Sequence, residues 1–187
     1  MGPFETILAV LWVMLPALVP NSAAVLLGGG TPMDFGRSWR GKRILGDGKT
    51  WRGFFGGALS GAVVGFLQIG LAELLGTHGS WGFGPLPMSV AAVFSLSFGS
   101  MLGDSVGSFL KRRIGKERGA KTPILDQYNF VAGAFALILI VDSEWFLERF
   151  AEGNGWMALV AFLILVPLIH RGVNIIGYKM GKKHVPW

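Results

Sequence analysis

The chain has 187 residues, of which 51% are hydrophobic and only 15% are charged, and its formal net charge is +6. At a mean hydropathy of +0.52 it cannot cover its apolar side chains with a polar shell, so the composition excludes an ordinary water-soluble domain. The chain contains no cysteine, which excludes disulfides, cysteine-ligated zinc and thiol nucleophiles.

Five apolar blocks follow one another along the chain, each close to the ~20 residues that cross a bilayer. We expect the first block to be a retained helix, because it lacks the positively charged start of a signal peptide. Polar residues crowd both ends of the fourth block, which we expect to be tilted or partly interfacial. The sequence predicts an all-α membrane protein with five transmembrane helices in a single domain, residues 1–187. The blocks cover residues 4–27, 53–75, 88–110, 127–147 and 156–178.

Basic residues lie in three segments that would share one face of a five-span bundle. Of the 17, six lie between the first two blocks, six between the third and fourth, and four near the C-terminus, which leaves Arg149 alone opposite. Because basic loops stay in the cytoplasm, we expect the N-terminus outside, the C-terminus cytoplasmic and the active site on the cytoplasmic side of the cell membrane. Taken alone, such loops often only set topology and bind anionic lipid headgroups.

Glycine recurs at every fourth position in two of the blocks. Small-residue stripes of this kind let helix backbones approach closely, so we expect them to pack the second and third spans together. The stripes consist of Gly53, Gly57, Gly61 and Gly65 in the second block, and of Gly99, Gly103 and Gly107 in the third.

Asp104 lies inside the third block, on one helical face with Ser108 and Lys111 and roughly 10 Å along the axis from Lys111. An ionised carboxylate at that depth costs about 3 kcal/mol unless a metal ion or a cation compensates it. Asp126 opens the fourth span, after a basic loop that is long enough to fold back. Two interpretations stay open: the two aspartates hold a metal ion together, or each is paired with a nearby lysine or arginine.

The first loop contains two glycine-rich segments, Gly28 to Asp34 and Gly46 to Thr50. Glycines let backbone amides approach an anion, and Lys49 and Thr50 stand just before a helix N-terminus, an arrangement suited to phosphate binding. It is not a P-loop, because Arg43 replaces a required glycine and no strand precedes it. The competing interpretation is an ordinary loop with Thr50 at or near the helix N-cap.

These features together indicate phosphoryl or nucleotidyl transfer onto a lipid, with aspartates for Mg²⁺, basic side chains for polyphosphate and an apolar bundle for lipid tails. The order of the motifs resembles the CDP-archaeol synthase family over nearly the whole chain. The motifs are Asn21, Gly28–Asp34, Gly46–Gly53, Gly103–Ser105, Ser108, Lys111–Arg113, Arg118–Gly119, Pro123 and Leu125–Gln127.

The resemblance implies an Mg²⁺-dependent enzyme that transfers CMP from CTP to 2,3-bis-O-geranylgeranylglycerol 1-phosphate and releases pyrophosphate. In the wider CDP-diacylglycerol synthases the signature ends in a His-Gly-Gly stretch and an Asp-Arg-x-Asp element, where this chain has Pro123 to Gln127. The resemblance to that wider family therefore implies catalytic roles most safely for four residues of this chain: Asp104, Lys111, Arg112 and Asp126.

We predict a magnesium site formed by Asp104 and Asp126. The expected partners are CTP, an isoprenoid ether lipid phosphate and membrane lipids; no nucleic acid is expected, and the sequence predicts no oligomeric state. The predicted catalytic residues are Asp104, Asp126, Lys111, Arg112 and Lys49. The predicted substrate contacts are Asn21, Asp34, Arg43, Asp47, Thr50, Ser105, Ser108, Arg113, Arg118 and Gln127.

Other classes of protein would share some of these features. A CDP-alcohol phosphotransferase would need an Asp-Gly-x-x-Ala-Arg element, which the sequence lacks. A transporter or binding protein for an anionic, phosphate-bearing ligand would tolerate buried aspartates and glycine stripes, but it would consume no CTP. A membrane scaffold would lose little if Asp104 became Asn.

Overall fold

The computed structural model describes residues 1–77, 81–117 and 119–181. Five helical segments in these ranges are long and apolar enough to cross a membrane, which confirms the predicted number of spans. The first of these segments joins two helices. The elements are α1 (Pro3–Val13), α2 (Leu15–Leu27), β1 (Ser38–Trp39), β2 (Lys42–Arg43), α3 (Trp51–Leu75), α4 (Met88–Arg113), α5 (Pro123–Val141), α6 (Ser143–Phe150) and α7 (Gly155–Lys179).

The first span is broken at Met14, between α1 and α2. Pro16 has no amide hydrogen, so it cannot make the bond to the Trp12 carbonyl that a continuous helix requires. The side-chain amide of Gln68, on α3, donates to that carbonyl at 2.7 Å. The break therefore exposes a backbone acceptor inside the bundle, and a neighbouring helix satisfies it.

The glycine stripes pack helices together, although not only in the predicted pair. On α3, a Cβ at Gly57 would lie 2.6 Å from the Pro20 carbonyl oxygen of α2 and 2.9 Å from the Met101 sulfur of α4. On α4, a Cβ at Gly99 would lie 2.7 Å from the Gly133 carbonyl oxygen of α5. The expectation that both stripes join the second and third spans is therefore wrong for α4, whose stripe packs against the fourth span.

The fourth span begins and ends earlier than the apolar block 127–147 predicts. Pro123 occupies the first helical position of α5, where its missing amide hydrogen has no cost, and the helix ends at Val141. Asp142 then caps α6 by accepting a hydrogen bond from the Trp145 amide at 3.0 Å. Helix α6 was not predicted. Its Trp145 ring nitrogen donates to the Phe83 carbonyl at 2.8 Å, which holds α6 against the segment that precedes α4.

The large apolar core lies toward the end of the bundle that carries α6. Among its fully buried side chains are Phe83, Phe150, Phe162 and Leu96. Polar and charged side chains gather at the opposite end, where α2 ends, α3 begins and α4 ends. We call this end the loop face, because the first and third loops meet there.

Candidate active site

A cavity of about 680 Å³ opens at the loop face, and we call it the main cavity. The end of α2, the first loop, the start of α3 and the end of α4 form its wall. Apolar side chains, among them Val25, Phe54 and Met101, line part of it. The remainder is polar and includes these predicted site residues: Asn21, Asp47, Lys49, Thr50, Asp104, Ser105, Ser108, Lys111 and Arg112.

The two predicted metal ligands are each ion-paired with a lysine. Lys49 Nζ contacts Asp104 Oδ2, and Lys111 Nζ contacts Asp126 Oδ1. All four side chains are about one-fifth exposed, at 18% to 22%. Asp104 and both lysines line the main cavity, whereas Asp126 is not among the described lining residues. The structure thus shows the pairing with cations that the sequence left open as an alternative to a shared metal ion.

The donor chemistry of this site also suits Mg²⁺. Within the described residues no group of three or more acidic, histidine or cysteine side chains is placed to hold a metal ion. Mg²⁺ does not need such a cage, because it is commonly held by one or two carboxylates together with water and substrate phosphates. Asp104 and Asp126 supply two carboxylates, and the lysines now paired with them are cations that a polyphosphate would attract. The residues therefore fit the ion, and its binding stays a prediction.

Thr50 confirms the N-cap interpretation, and its position is also compatible with phosphate binding, which stays a prediction. It is the N-cap of α3, where its hydroxyl oxygen accepts a hydrogen bond from the Gly53 amide at 3.1 Å. It also lines the main cavity. The cap brings the N-terminus of α3, with its partial positive charge, to the cavity wall, and this environment favours an anion.

Asp34 organises the first loop from inside. It is only 5% exposed and accepts hydrogen bonds from Arg43 at 2.7 Å and from the amides of Gly46, Leu45 and Gly36 at 2.9 to 3.1 Å. Burial opposes ionisation, but the bonds from Arg43 and the three amides outweigh it and hold the pKa of Asp34 well below its usual range. Asp34 and Arg43 were predicted as substrate contacts. In the described structure they face each other behind the cavity wall and support the loop.

Arg113 holds the first loop against the end of α4. Its guanidinium donates to the carbonyls of Trp39, Lys42 and Arg43 at 2.7 to 3.2 Å. The same group lies 5.1 Å from the centre of the Trp39 ring and 5.2 Å from that of Phe109, close enough for cation–π attraction. Arg113 is a predicted substrate contact; in the described structure its guanidinium clamps the hairpin to α4, and it is not among the residues that line the main cavity.

The hairpin that Arg113 holds was not predicted. Its strands, β1 and β2, pair Ser38 with Arg43 and Trp39 with Lys42. The two turn residues, Arg40 and Gly41, have φ of 52° and 73°, as the two central positions of a type I′ turn require.

Two further predicted contacts do not join the described wall of the main cavity. Gln127 follows Asp126 near the start of α5 and is not among the described lining residues. Arg118 lies outside the described residues.

Asn129 is a site residue that the sequence did not single out. Its side-chain nitrogen lies 3.5 Å from Asp104 Oδ1, at the edge of hydrogen-bonding distance. Its Oδ1 is buried and has no partner among the residues that the structure describes. Asn129 is a polar residue in an apolar span, three positions after Asp126, so the two side chains share a helical face. That spacing is the signal that could have identified Asn129.

The fold and the site define a class: a five-span membrane protein whose cavity presents lysines, an arginine and a helix N-terminus, the groups that bind phosphate, beside the carboxylates of Asp47 and Asp104. The family described as CarS-like CDP-archaeol synthase matches residues 4–187, and the chain belongs to this family. Its sequence is 48% identical to CDP-archaeol synthase of Methanocorpusculum labreanum over 181 residues, which cover 93% of this chain and 100% of the relative.

Two further comparisons agree with that assignment. CDP-archaeol synthase of Pyrococcus horikoshii is 43% identical over 182 residues, which cover 97% of each chain. A solved structure of an intramembrane enzyme for archaeal membrane lipids biosynthesis is similar to this fold at a TM-score of 0.60 and 33% identity. The match covers 84% of this chain and 92% of that structure.

Proposed function

We propose that this protein transfers CMP from CTP to 2,3-bis-O-geranylgeranyl-sn-glycerol 1-phosphate, forming CDP-archaeol and pyrophosphate. Membership of the family over residues 4–187 supports the reaction. The main cavity supports the location of the active site. It lies at the loop face of an apolar bundle and brings together Lys49, Lys111, Arg112 and Asp104. A transporter for a phosphate-bearing ligand would share the cavity, but the family assignment favours the enzyme.

The chemistry needs one bond formed and one broken. An oxygen of the lipid phosphate bonds to the α-phosphorus of CTP, and the bond from that phosphorus to the oxygen bridging to the β-phosphorus breaks. The electron pair leaves with pyrophosphate. A phosphate monoester with a second pKa near 6 is largely ionised at neutral pH, so the lipid attacks without a general base.

The basic side chains have the task of stabilising the charge on the polyphosphate. Lys49 and Lys111 bind phosphate oxygens in place of the carboxylates with which they are now paired. Arg112, whose Nε lies 3.4 Å from the Leu45 carbonyl oxygen, presents its guanidinium from the third span. Because these groups are only partly exposed, water competes less with them for the negative charge that moves to the leaving group.

We further propose that Mg²⁺ is the cofactor and that Asp104 and Asp126 hold it. When bound, the ion supplies Lewis-acid neutralisation of the phosphate charge. Asn129 keeps the Asp104 carboxylate in place from α5, while Thr122, whose hydroxyl donates to Asp126 at 3.0 Å, orients the second carboxylate.

The test is direct turnover by the purified protein in detergent. The protein is incubated with CTP, the geranylgeranyl diether phosphate and Mg²⁺, and both pyrophosphate and CDP-lipid are measured. The test variants are Asp104→Asn and Asp126→Asn. Glu152→Gln, which neutralises an exposed carboxylate at the opposite end of the bundle, is the matched control.

Each outcome separates the alternatives. We expect product from wild type and Glu152→Gln, a fall of at least about a hundredfold in both aspartate variants, and no product after chelation. Full activity in either aspartate variant would remove that residue from the proposed magnesium site. If folded wild type makes no CDP-lipid from this or related lipid phosphates, the transporter becomes the better hypothesis.

A further inference from the structure

A second cavity of about 220 Å³ lies between α2, α5 and α7, and we call it the side groove. Apolar side chains dominate its lining, in contrast to the main cavity. They include Leu18 and Leu26 from α2, Phe130 from α5, and Ile169, Val173 and Ile176 from α7. A nucleotide or a free phosphate would lose its hydration there without enough polar partners in return.

The side groove opens sideways from the bundle. Its floor is buried, with Phe130 at 2% and Asn174 at 3% exposure, whereas Leu26 and Ile176 on its rim are each 59% exposed. The rim residues belong to helical segments that are long and apolar enough to cross a membrane. In a bilayer the groove would therefore open toward lipid chains.

The side groove shares a wall with the main cavity. Asn21 and Val25 line both spaces. The side-chain oxygen of Asn21 is buried and has no hydrogen-bond partner among the described residues, although leaving a buried polar atom unpaired is costly. A ligand that extends from one space into the other would pass this amide.

We propose that the side groove holds one isoprenoid chain of the lipid phosphate while the phosphate lies in the main cavity, beside Asn21. This inference rests on the proposed function. Lipid tails are as apolar as the groove, so moving a chain from the bilayer into it adds little affinity. The groove acts by orientation: a chain fixed between α2 and α7 directs the phosphate toward CTP, and orientation controls the rate of transfer.

The test compares a long-chain with a short-chain substrate in a variant whose groove is filled. Val173→Trp places a large ring in the groove, and Leu168→Trp places the same ring on another face of α7, at a site that is 65% exposed. Both variants and wild type are assayed with the geranylgeranyl diether phosphate and with an analogue that carries five-carbon chains, which do not need the groove.

We expect Val173→Trp to lower kcat/KM for the long-chain lipid by about tenfold to a hundredfold, the range that misorientation produces. Its kcat/KM for the short-chain analogue and its KM for CTP should match wild type, and Leu168→Trp should match wild type throughout. Equal loss with both lipids, or no loss, would overturn the groove proposal. The proposed function would fail separately, through lack of CDP-lipid from wild type.

A labelling experiment on the wild-type protein avoids dependence on any variant. A lipid phosphate with a photoreactive diazirine at the end of one isoprenoid chain is irradiated in the presence of the protein, and labelled peptides are identified by mass spectrometry. Label within residues 18–26 or 169–180 is expected. Label confined to α3 and α4 would overturn the proposal.

Discussion

Lys49 and Asp104 are 55 positions apart in the sequence, yet their side chains form an ion pair in the wall of the main cavity. Exchanging them in a Lys49→Asp/Asp104→Lys double variant keeps the pair but reverses the positions of the two charges. We expect the double variant to regain most of the stability lost in Lys49→Asp alone, while CDP-lipid formation stays at least about a hundredfold below wild type.

Thermal unfolding and turnover, measured on the same samples, check this prediction. Lys179→Asp, which reverses an exposed charge at the end of α7, controls for the change in net charge. Recovery of turnover together with stability would mean that the pair only supports the fold.

Asp34 makes stability depend on pH. Its pKa is lower in the folded protein than the ~3.9 of an unfolded aspartate, so its contribution is complete above about pH 4 and is lost as pH falls toward the folded pKa. Asp34→Asn should lose roughly 2 kcal/mol at neutral pH, because charge-assisted bonds from Arg43 and three amides disappear.

The free energy of unfolding of wild type and of Asp34→Asn is measured in detergent from pH 7 down to pH 3. The difference between the two proteins should shrink only at the acidic end. Asp47→Asn removes a partner of Arg43 whose side chain is 65% exposed, and it should cost less than about 1 kcal/mol. A difference that stays constant through the acidic range would contradict the assigned role of Asp34.

At the scale of helices, two glycines of α3 should respond oppositely to the same substitution. A Cβ at Gly61 would meet the Pro16 carbonyl oxygen and lie 2.9 Å from the Ser97 Cβ, whereas a Cβ at Gly70 would have nothing within 4 Å. Gly61→Ala should therefore destabilise by about 1–3 kcal/mol. Gly70→Ala should be neutral or stabilise by up to about 1 kcal/mol, since alanine favours the helix. Melting temperatures in detergent measure both, and equal shifts would refute close packing at Gly61.

The sequence predicts these helices well where hydrophobicity defines them and less well where capping does. The first, second, third and fifth spans agree closely with their apolar blocks. The fourth helix does not coincide with its apolar block, because Pro123 starts it before the apolar run and Asp142, the cap of the next helix, follows its end. The hairpin around Gly41 is too short to show the alternating pattern that identifies a strand.

The kinds of residue at the site were easier to predict from the sequence than the contacts that each residue makes. Nine predicted site residues do line the main cavity, and an ionisable residue inside a span, such as Asp104, is the kind that marks a functional site. The roles of Asp34 and Arg113 were not predictable, since each depends on carbonyls or amides that approach only after the first loop folds against α4.

For the molecule as a whole, the distribution of charge predicts which end faces the cytoplasm. In the sequence, all basic residues except Arg149 lie in the three segments expected at one end of a five-span bundle. Two of these segments are the loops that form the loop face, so we expect that face to be cytoplasmic, where CTP is available. The chain has no cysteine, so Lys116→Cys at the loop face and Glu152→Cys at the other end each introduce a unique thiol. Both positions are exposed.

A membrane-impermeant maleimide added to intact cells should label Glu152→Cys at once and Lys116→Cys only after the membrane is opened. A soluble cytoplasmic protein that stays unlabelled until that step controls for leakage. The reverse pattern would overturn the orientation and, with it, the supply of CTP to the main cavity.

The three carbonyl contacts and two ring contacts of Arg113 have a mechanical consequence for substrate entry. One guanidinium joins the hairpin to the last turn of α4, so the first loop and the end of α4 should move as one rigid piece. Because Leu45 to Thr50 of the same loop line the main cavity, we expect this part of the cavity wall to keep its position relative to α4 while CTP enters and pyrophosphate leaves.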